Sequence, residues 1–212
     1  MLTLYDYLPS QNGWKVRQLL HHLDVPYRTV LVSIFEGEGR RPEYLAINPT
    51  GAVPAIRFDD GRTLSESNAI LFHLAEGSQW LAQDAFLRAK TLQWLSFEAD
   101  YVQSTLGAVR HWRMTGKLDR RPRELVSSRV AAGEAALAAL DRVLADSDYL
   151  VGDYGIADIS MFAYAHLAEE AGVELTTYGN VTAWIERVRS RSGHLSERFG
   201  YDVDPHSAGE LP

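Results

Sequence analysis

The sequence predicts an α/β domain followed by an all-helical domain. Three observations carry this. Short β-branched segments alternate with an amphipathic helix over the first 77 or so residues, no convincing strand follows Gly77, and the later apolar positions recur with a helical period.

The elements follow in order. Leu2, Leu4 and Tyr7 belong to an opening strand, and Ser10-Gln11-Asn12-Gly13 reads as a loop. From Trp14, the positions Val16, Leu19, Leu20 and Leu23 fall at i, i+3, i+4 and i+7, an amphipathic helix closed by Pro26. Tyr27 to Ser33 is β-branched and makes a second strand, parallel to the first because a helix connects them. Phe35 to Arg41 is loop. Pro42-Glu43-Tyr44-Leu45 is one helical turn with proline at its start, and Asn48-Pro49-Thr50-Gly51 is a turn. Val53 to Phe58 is a strand, Asp59-Asp60-Gly61 a hairpin into Thr63-Leu64, and Ser65 caps a helix that ends at Gly77. The sum is βαβ then ββα, a mixed four-stranded sheet with helices.

After a linker from Gly77 to Gln83, Asp84 caps a long helix to about Met114. Val126, Val130, Leu137, Leu140 and Leu144 mark a second, Ile156 to Gly172 a third, and Asn180 caps a fourth through Val181, Trp184, Ile185 and Val188. The expected boundaries are 1–78 for the α/β domain and 84–200 for an all-α bundle, with 201–212 a flexible tail.

Bulk properties narrow the function. With 46% hydrophobic and 23% charged residues the chain is globular. Its formal charge of −7 argues against nucleic acid or an anionic membrane as partner. No apolar run approaches the ~18 residues of a spanning helix, and the first residues lack the pattern of a signal peptide, so the expected location is the cytoplasm. There is no cysteine. Thiolate metal sites and disulfides are excluded, no metal is expected, and any thiol chemistry must use a thiol carried by a ligand.

Three constellations carry chemistry. Val53-Pro54 opens a strand; if its peptide bond is cis, the Val53 amide and carbonyl face outward and can pair with an extended peptide. On the dipeptide alone a trans proline at a sheet edge is the default, since only ~5–6% of such bonds in folded proteins are cis. Ser65-Glu66-Ser67-Asn68 enters a helix. Its amides suit a carboxylate, Glu66 suits an ammonium, and simple capping explains the same residues. Ser10-Gln11-Asn12 follows a parallel strand at a helix start, where a hydroxyl and an amide can donate to an anion or merely cap.

Together these segments closely resemble the thioredoxin-like domain of glutathione transferases. Leu4 to Tyr7, Lys15-Val16-Arg17, Pro42 to Pro49, Val53 to Ile56 and Leu64 to Ile70 match it. Gly155-Ile156-Ala157-Asp158-Ile159-Ser160 matches a signature of the family's helical domain, so the resemblance spans nearly the whole chain. It implies a glutathione S-transferase that uses glutathione as co-substrate. Val53 and cis-Pro54 would hold the cysteinyl part, Glu66 and Ser67 the γ-glutamyl end, and Ser10 with Asn12 the sulfur, in the hydroxyl-x-Asn pattern of the bacterial nu class. A free thiol has a pKa of about 8.5. Two donors and a helix N-terminus favour the thiolate, the nucleophile. A two-unit shift needs roughly 2.7 kcal/mol, within reach of one charged hydrogen bond plus the dipole.

The resemblance also implies a homodimer and a small electrophilic or disulfide second substrate. Tyr101, Leu106, His111, Trp112 and Arg113 are pocket candidates from the long helix, expected between the domains, and bundle packing explains each equally. Arg110 or Arg113 suits a carboxylate. Asp100 or Glu98 is placed to reach a partner's glutathione. Tyr5 and Tyr7 are alternative sulfur donors, with sheet packing the simpler role for Tyr5. Two positions depart from the family pattern. Ala52 stands where relatives carry a polar residue, with Arg40, Arg41 or His73 as substitutes. Gly155 stands where a hydroxyl residue usually caps, so Asp158 completes the box alone and is structural. The competing functions are a non-catalytic binding protein of the same fold and a glutathione-dependent dehalogenase or isomerase.

Overall fold

The computed structural model describes residues 1–212. The chain forms two compact units, one of Met1–Ser78 with Leu195–Pro212 and the other of Gln79–His194.

In the first unit, β1 (Leu2–Asp6), α1 (Gln11–His22), β2 (Tyr27–Leu31), α2 (Pro42–Leu45), β3 (Ala55–Arg57), β4 (Thr63–Ser65) and α3 (Ser67–Leu74) follow in chain order. The sheet order is β2-β1-β3-β4. β1 runs parallel to β2 and antiparallel to β3, and β3 pairs antiparallel with β4. Period-two alternation sends Leu2 and Leu4 to one face, where they pack with Ile56, with Val16 and Leu20 of α1 and with Ile70 of α3. Tyr5 points the other way, against Tyr44, Val32 and Ala55. Full burial of each such aliphatic side chain is worth about 1.5–3 kcal/mol.

The helix starts sit differently from the sequence expectation. α1 begins at Gln11, three residues before Trp14, because Ser10 is its cap: the Ser10 hydroxyl accepts from the Gly13 amide at 3.2 Å. Ser65 is the last residue of β4, and Glu66 holds the cap position of α3. Residues 201–212, expected as a flexible tail, contain a short 3-10 turn at Tyr201–Val203 and group with the first unit. The Tyr201 ring lies 6.3 Å from that of Tyr7, which gives the segment an aromatic surface to rest on.

The second unit is helical. Asp84 caps α4 (Ala85–Phe97), accepting from the Phe86 and Leu87 amides at 3.0 Å each. The rod continues through a π-helical stretch, Glu98–Gly107, into α5 (Ala108–Met114). In that stretch the Ser104 and Thr105 hydroxyls bond back to the Asp100 and Tyr101 carbonyls. Gly107 is required there, since a Cβ would lie 2.8 Å from the Tyr164 ring. α6 (Arg123–Val143), α7 (Ile156–Ala165) and α8 (Gly179–Arg189) complete the unit. The expected third helix stops at Ala165, and a 3-10 turn at Ala168–Ala171 precedes Gly172. Asn180 is not the cap of α8. Asp141 of α6 accepts instead from the Asn180 and Val181 amides, at 2.8 and 3.0 Å. Asp158 takes the Gly155 amide, the Leu150 amide and the Trp184 indole, a structural role. No helix is long and apolar enough to cross a membrane.

Candidate functional site

The sequence candidates Ser10, Asn12, Val53, Pro54, Glu66 and Ser67 all lie in the first unit, and Asp6 sets the frame for two of them. Asp6 shares a face of β1 with Leu2 and Leu4, and it is fully buried. Burial pushes its carboxyl up, while the Arg17 guanidinium of α1 pairs with it and opposes that shift. Asp6 also accepts from the Tyr7 amide at 2.8 Å, and Arg17 donates to the Leu8 carbonyl at 3.1 Å. The turn between β1 and α1 is therefore fixed from below. A Cβ on Gly13 would fall 1.9 Å from the Asp6 carboxylate, so only glycine admits α1 this close.

On that frame Ser10 and Asn12 take the cap and the second helical position. The Asn12 side-chain oxygen accepts from the Ser67 hydroxyl at 3.2 Å, which ties the first turn of α1 to the first turn of α3. Three positions further along α1, the buried Lys15 ammonium stands 3.5 Å from the side-chain oxygen of Asn68, the residue after Ser67. Thus Asn12 and Ser67 are brought together, with Ser10 and Glu66 beside them in the chain.

Glu66 adopts φ 69°, ψ 111°, which an L residue rarely does. Its carboxylate is exposed and makes no hydrogen bond or ion pair within the chain. Such outliers cost about 1–3 kcal/mol and collect at functional positions.

The Val53–Pro54 bond is cis, as the resemblance implies. No turn, loop or cap hydrogen bond uses the Val53 amide or carbonyl. The preceding turn is held firmly. Tyr44 Oη and Asn48 Nδ2 both donate to the Ala52 carbonyl, at 2.6 and 2.8 Å. Gly51, at φ 72°, packs backbone to backbone against Gly39. Of the three residues expected to compensate for Ala52, only Arg40 reaches this turn, donating to the Thr50 carbonyl at 2.9 Å. Arg41 pairs with Glu38 at 2.9 Å, and His73 stands edge-on to Phe58.

The remaining candidates divide. Tyr7 is buried between Phe35 and Tyr201, and burial together with the facing Asp204 carboxylate holds its hydroxyl protonated. Tyr5 packs on Tyr44, a sheet role. In the second unit, Leu106 is core against Gly133, and Arg110 is buried on Glu170 at 2.6 Å. Trp112 lies under the guanidiniums of Arg121 and Arg129, at 5.4 Å each. His111 is next to Lys117 and Arg113 lies against Gly172, leaving Tyr101 as an exposed aromatic. Glu98 is buried and accepts from Ser160 at 3.0 Å, so Asp100 alone of that pair is exposed. The expectation for Glu98 therefore falls, because a carboxylate sealed in its own helical core reaches no neighbour.

Two positioning residues were missed from sequence, Asp6 and Gly13. The signal was available: a carboxylate in phase with Leu2 and Leu4 needs a buried cation, and Arg17 is one helix away.

The arrangement is a small βαβ-ββα unit with a pinned turn before a cis proline, followed by a helical unit. The family comparison is specific. Residues 9–76 match the glutathione S-transferase N-terminal domain and residues 108–192 the glutathione S-transferase C-terminal domain. The disulfide-bond oxidoreductase YfcG of Escherichia coli is 33% identical over 199 residues, 90% of this chain and 91% of that protein. A glutathione S-transferase structure from Pseudomonas fluorescens Pf-5 superposes with a TM-score of 0.89 at 36% identity, over 92% of this chain and 97% of that one. A second family member from that organism, solved with two glutathione bound, gives a TM-score of 0.78 at 28% identity, over 91% and 89%. The chain belongs to the glutathione S-transferase family.

Proposed function

We propose that this protein is a glutathione S-transferase that binds glutathione along Val53, Glu66 and Ser67 and holds its sulfur as a thiolate with Ser10 and Asn12. The observation that carries this reading is Glu66. An acid held in a costly backbone conformation, with a carboxylate unused by the chain, serves a ligand, and an ammonium is its natural complement. The unused main-chain groups of Val53 suit the extended backbone of a short peptide. Ser67 and the amides at the start of α3 suit the carboxylate beside that ammonium.

The sulfur then lies at the start of α1, where the dipole and two side-chain donors favour negative charge. The thiolate attacks an electrophilic carbon, forming a carbon–sulfur bond as the leaving group departs with its electron pair. With a disulfide, the thiolate forms a mixed disulfide and expels a thiolate. A second glutathione thiolate then attacks the mixed disulfide, giving oxidised glutathione and a second thiol after protonation. The oxidoreductase named among the relatives and the related structure with two glutathione bound favour this second use. The chain has no cysteine, so both electrons come from glutathione. The reading carries with it a homodimer working in the cytoplasm, as the family resemblance implies.

The test is the ultraviolet thiolate absorbance of bound glutathione across pH, with calorimetry to establish binding. A thiolate pKa well below the free value of about 8.5 is expected. Binding with an unshifted pKa would leave a non-catalytic binding protein, and absence of binding would remove the site assignment.

A further inference from the structure

The face of the sheet that carries Tyr5 holds two cations to which the chain gives no counter-charge. Thr3 of β1 stands opposite Arg28 of β2 and opposite Arg57 of β3, so the three form one row across adjacent strands. Two residues further along, Tyr5 stands opposite Val30 and Ala55, and period-two alternation puts this second row on the same face. Arg28 and Arg57 are exposed, and neither guanidinium makes an ion pair or a hydrogen bond. Arg57 leans over the Tyr5 ring, 6.0 Å from its centroid. Both arginines line one cavity of about 470 Å³ together with Thr3, and Asp59 is the one carboxylate there. In a chain of formal charge −7 this is a local excess of positive charge.

Arg57 also lines a second cavity, of about 520 Å³, over the Tyr5 row. Tyr5, Val30, Tyr44 and Ile47 line it, and the same side chains pack together on this face. At its rim Arg41 is answered by Glu38 at 2.9 Å, and Glu43 of α2 adds a carboxylate. An anionic group therefore belongs to the arginine row, and an apolar body to the Tyr5 row. The two cavities meet at Arg57. Rows two residues apart along a strand are separated by about 6.6 Å, a span that an ester oxygen and fused aromatic rings fill. Cavities of this size, apolar with a few polar groups at one end, suit small organic ligands.

The donors select the head group. Each guanidinium offers a fork of N–H groups, and Thr3 offers a hydroxyl. A carboxylate is matched by one such fork. A phosphate monoester, with three terminal oxygens and a charge of about −1.5 to −2, has acceptors and charge for both.

We propose that this face is a second binding site, separate from the thiol-peptide site, for an aromatic phosphate monoester. Arg28, Arg57 and Thr3 take the phosphate, and the rings lie along Tyr5 and Val30 towards Tyr44 and Ile47. The site stands apart from the glutathione reading, since it uses none of Ser10, Asn12, Val53, Glu66 and Ser67.

The experiment is calorimetric titration of the full chain with 2-naphthyl phosphate, with inorganic phosphate and 2-naphthoate as comparisons. The aryl phosphate should bind with a Kd of about 1 mM or tighter, about tenfold or more below both comparisons. Arg28→Gln and Arg57→Gln change exposed residues, and each should weaken it about tenfold or more while glutathione affinity stays the same. Equal affinity for inorganic phosphate or for 2-naphthoate overturns the proposal, as do unchanged affinity in both variants and absence of binding. Hydrogen exchange with the aryl phosphate bound gives its location. Slowing at residues 28–32, 43–47 and 55–57 is expected. Slowing confined to residues 10–14 and 66–70 would put the ligand in the thiol-peptide site and refute a second one.

Discussion

Replacing Glu66 by glycine separates what the backbone tolerates at this position from what a ligand needs. At φ 69°, ψ 111° the Cβ of Glu66 is the source of strain, at a cost of about 1–3 kcal/mol. Glycine relieves most of it but loses about 0.5–1 kcal/mol through its freer unfolded chain. The carboxylate has no partner in the chain, so its removal strands nothing. The variant should therefore be as stable as the parent or up to about 2 kcal/mol more stable, a rise of up to about 4–8 °C for a chain of this size. Binding should move the other way. One charge-assisted hydrogen bond to the ligand ammonium is worth about 1.5–3 kcal/mol, so affinity for glutathione should fall roughly 10- to 150-fold. Urea denaturation followed by circular dichroism reads the first quantity, and calorimetric titration the second. Glu66→Ala is the control: it keeps the Cβ, should stay within about 0.5 kcal/mol of the parent, and should lose the same affinity. A glycine variant destabilised by more than about 1 kcal/mol would show that the conformation is not strained. Full affinity in both variants would show that the carboxylate is not a ligand group.

Four further outcomes rest on the same fold. Ser10→Ala with Asn12→Ala should raise the thiolate pKa of bound glutathione and slow turnover at nearly unchanged affinity; an unshifted spectrophotometric pKa would move sulfur activation elsewhere. Gly13→Ala should drive Asp6 off Arg17, costing about 3–5 kcal/mol for the broken buried pair against a helix gain of about 1 kcal/mol; calorimetry should show melting about 5–15 °C lower, and an unchanged midpoint would refute the wedge. Asp158→Ala leaves three N–H donors without an acceptor and should cost about 3–5 kcal/mol in urea, whereas a loss under 1 kcal/mol would contradict the buried network. Burial, with Arg189 nearby, holds His194 below its ordinary 6.5, so in acid the unfolded chain gains a proton that the folded one refuses, and this stability is lost as pH falls below 6.5. Burial pushes Asp158 up to about 6, which tilts stability the opposite way between the two carboxyl pKa values, so the difference between the parent and His194→Asn, measured from pH 7 to pH 5, isolates the histidine and should shrink towards acid.

Much of this was legible in the residues, for reasons that differ by position. The strands and α1 declared themselves through period two and period 3.6, because their apolar faces bury against one another. Capping was less legible. Ser10 and Ser65 are both serines before a helix, yet Ser10 caps α1 while Ser65 ends β4. What distinguishes them is the backbone at Glu66, and a non-glycine residue at positive φ leaves no mark in the sequence. The cap of α8 was hidden for another reason, since Asp141 is supplied from α6, 39 residues away. The π-helical stretch was likewise invisible, as it keeps the rod continuous and disturbs only the hydrogen-bond step. Among the site residues, Ser10, Asn12, Val53, Pro54, Glu66 and Ser67 were named from spacing and family resemblance together. Their environment came only with the fold: Asp6 beneath the first turn and Arg40 on the turn before Val53.

The polarity of the groups at the start of α1 narrows what can bind there. The Ser10 oxygen already accepts from the Gly13 amide, so its hydroxyl proton is left to donate. The Asn12 side-chain oxygen accepts from Ser67, which leaves its amide nitrogen to donate. In both side chains the acceptor is engaged within the protein and the donor remains, and the first amides of α1 add further donors. An anion at this turn meets several donors at once. A thiolate gains more from those donors than a thiol, because a charged acceptor makes the stronger hydrogen bonds. The difference between the two protonation states is the quantity that sets a pKa. The same arrangement that caps the helix therefore biases a bound thiol towards its reactive form, and Gly13 lets α1 close onto Asp6 and so holds that helix start in place.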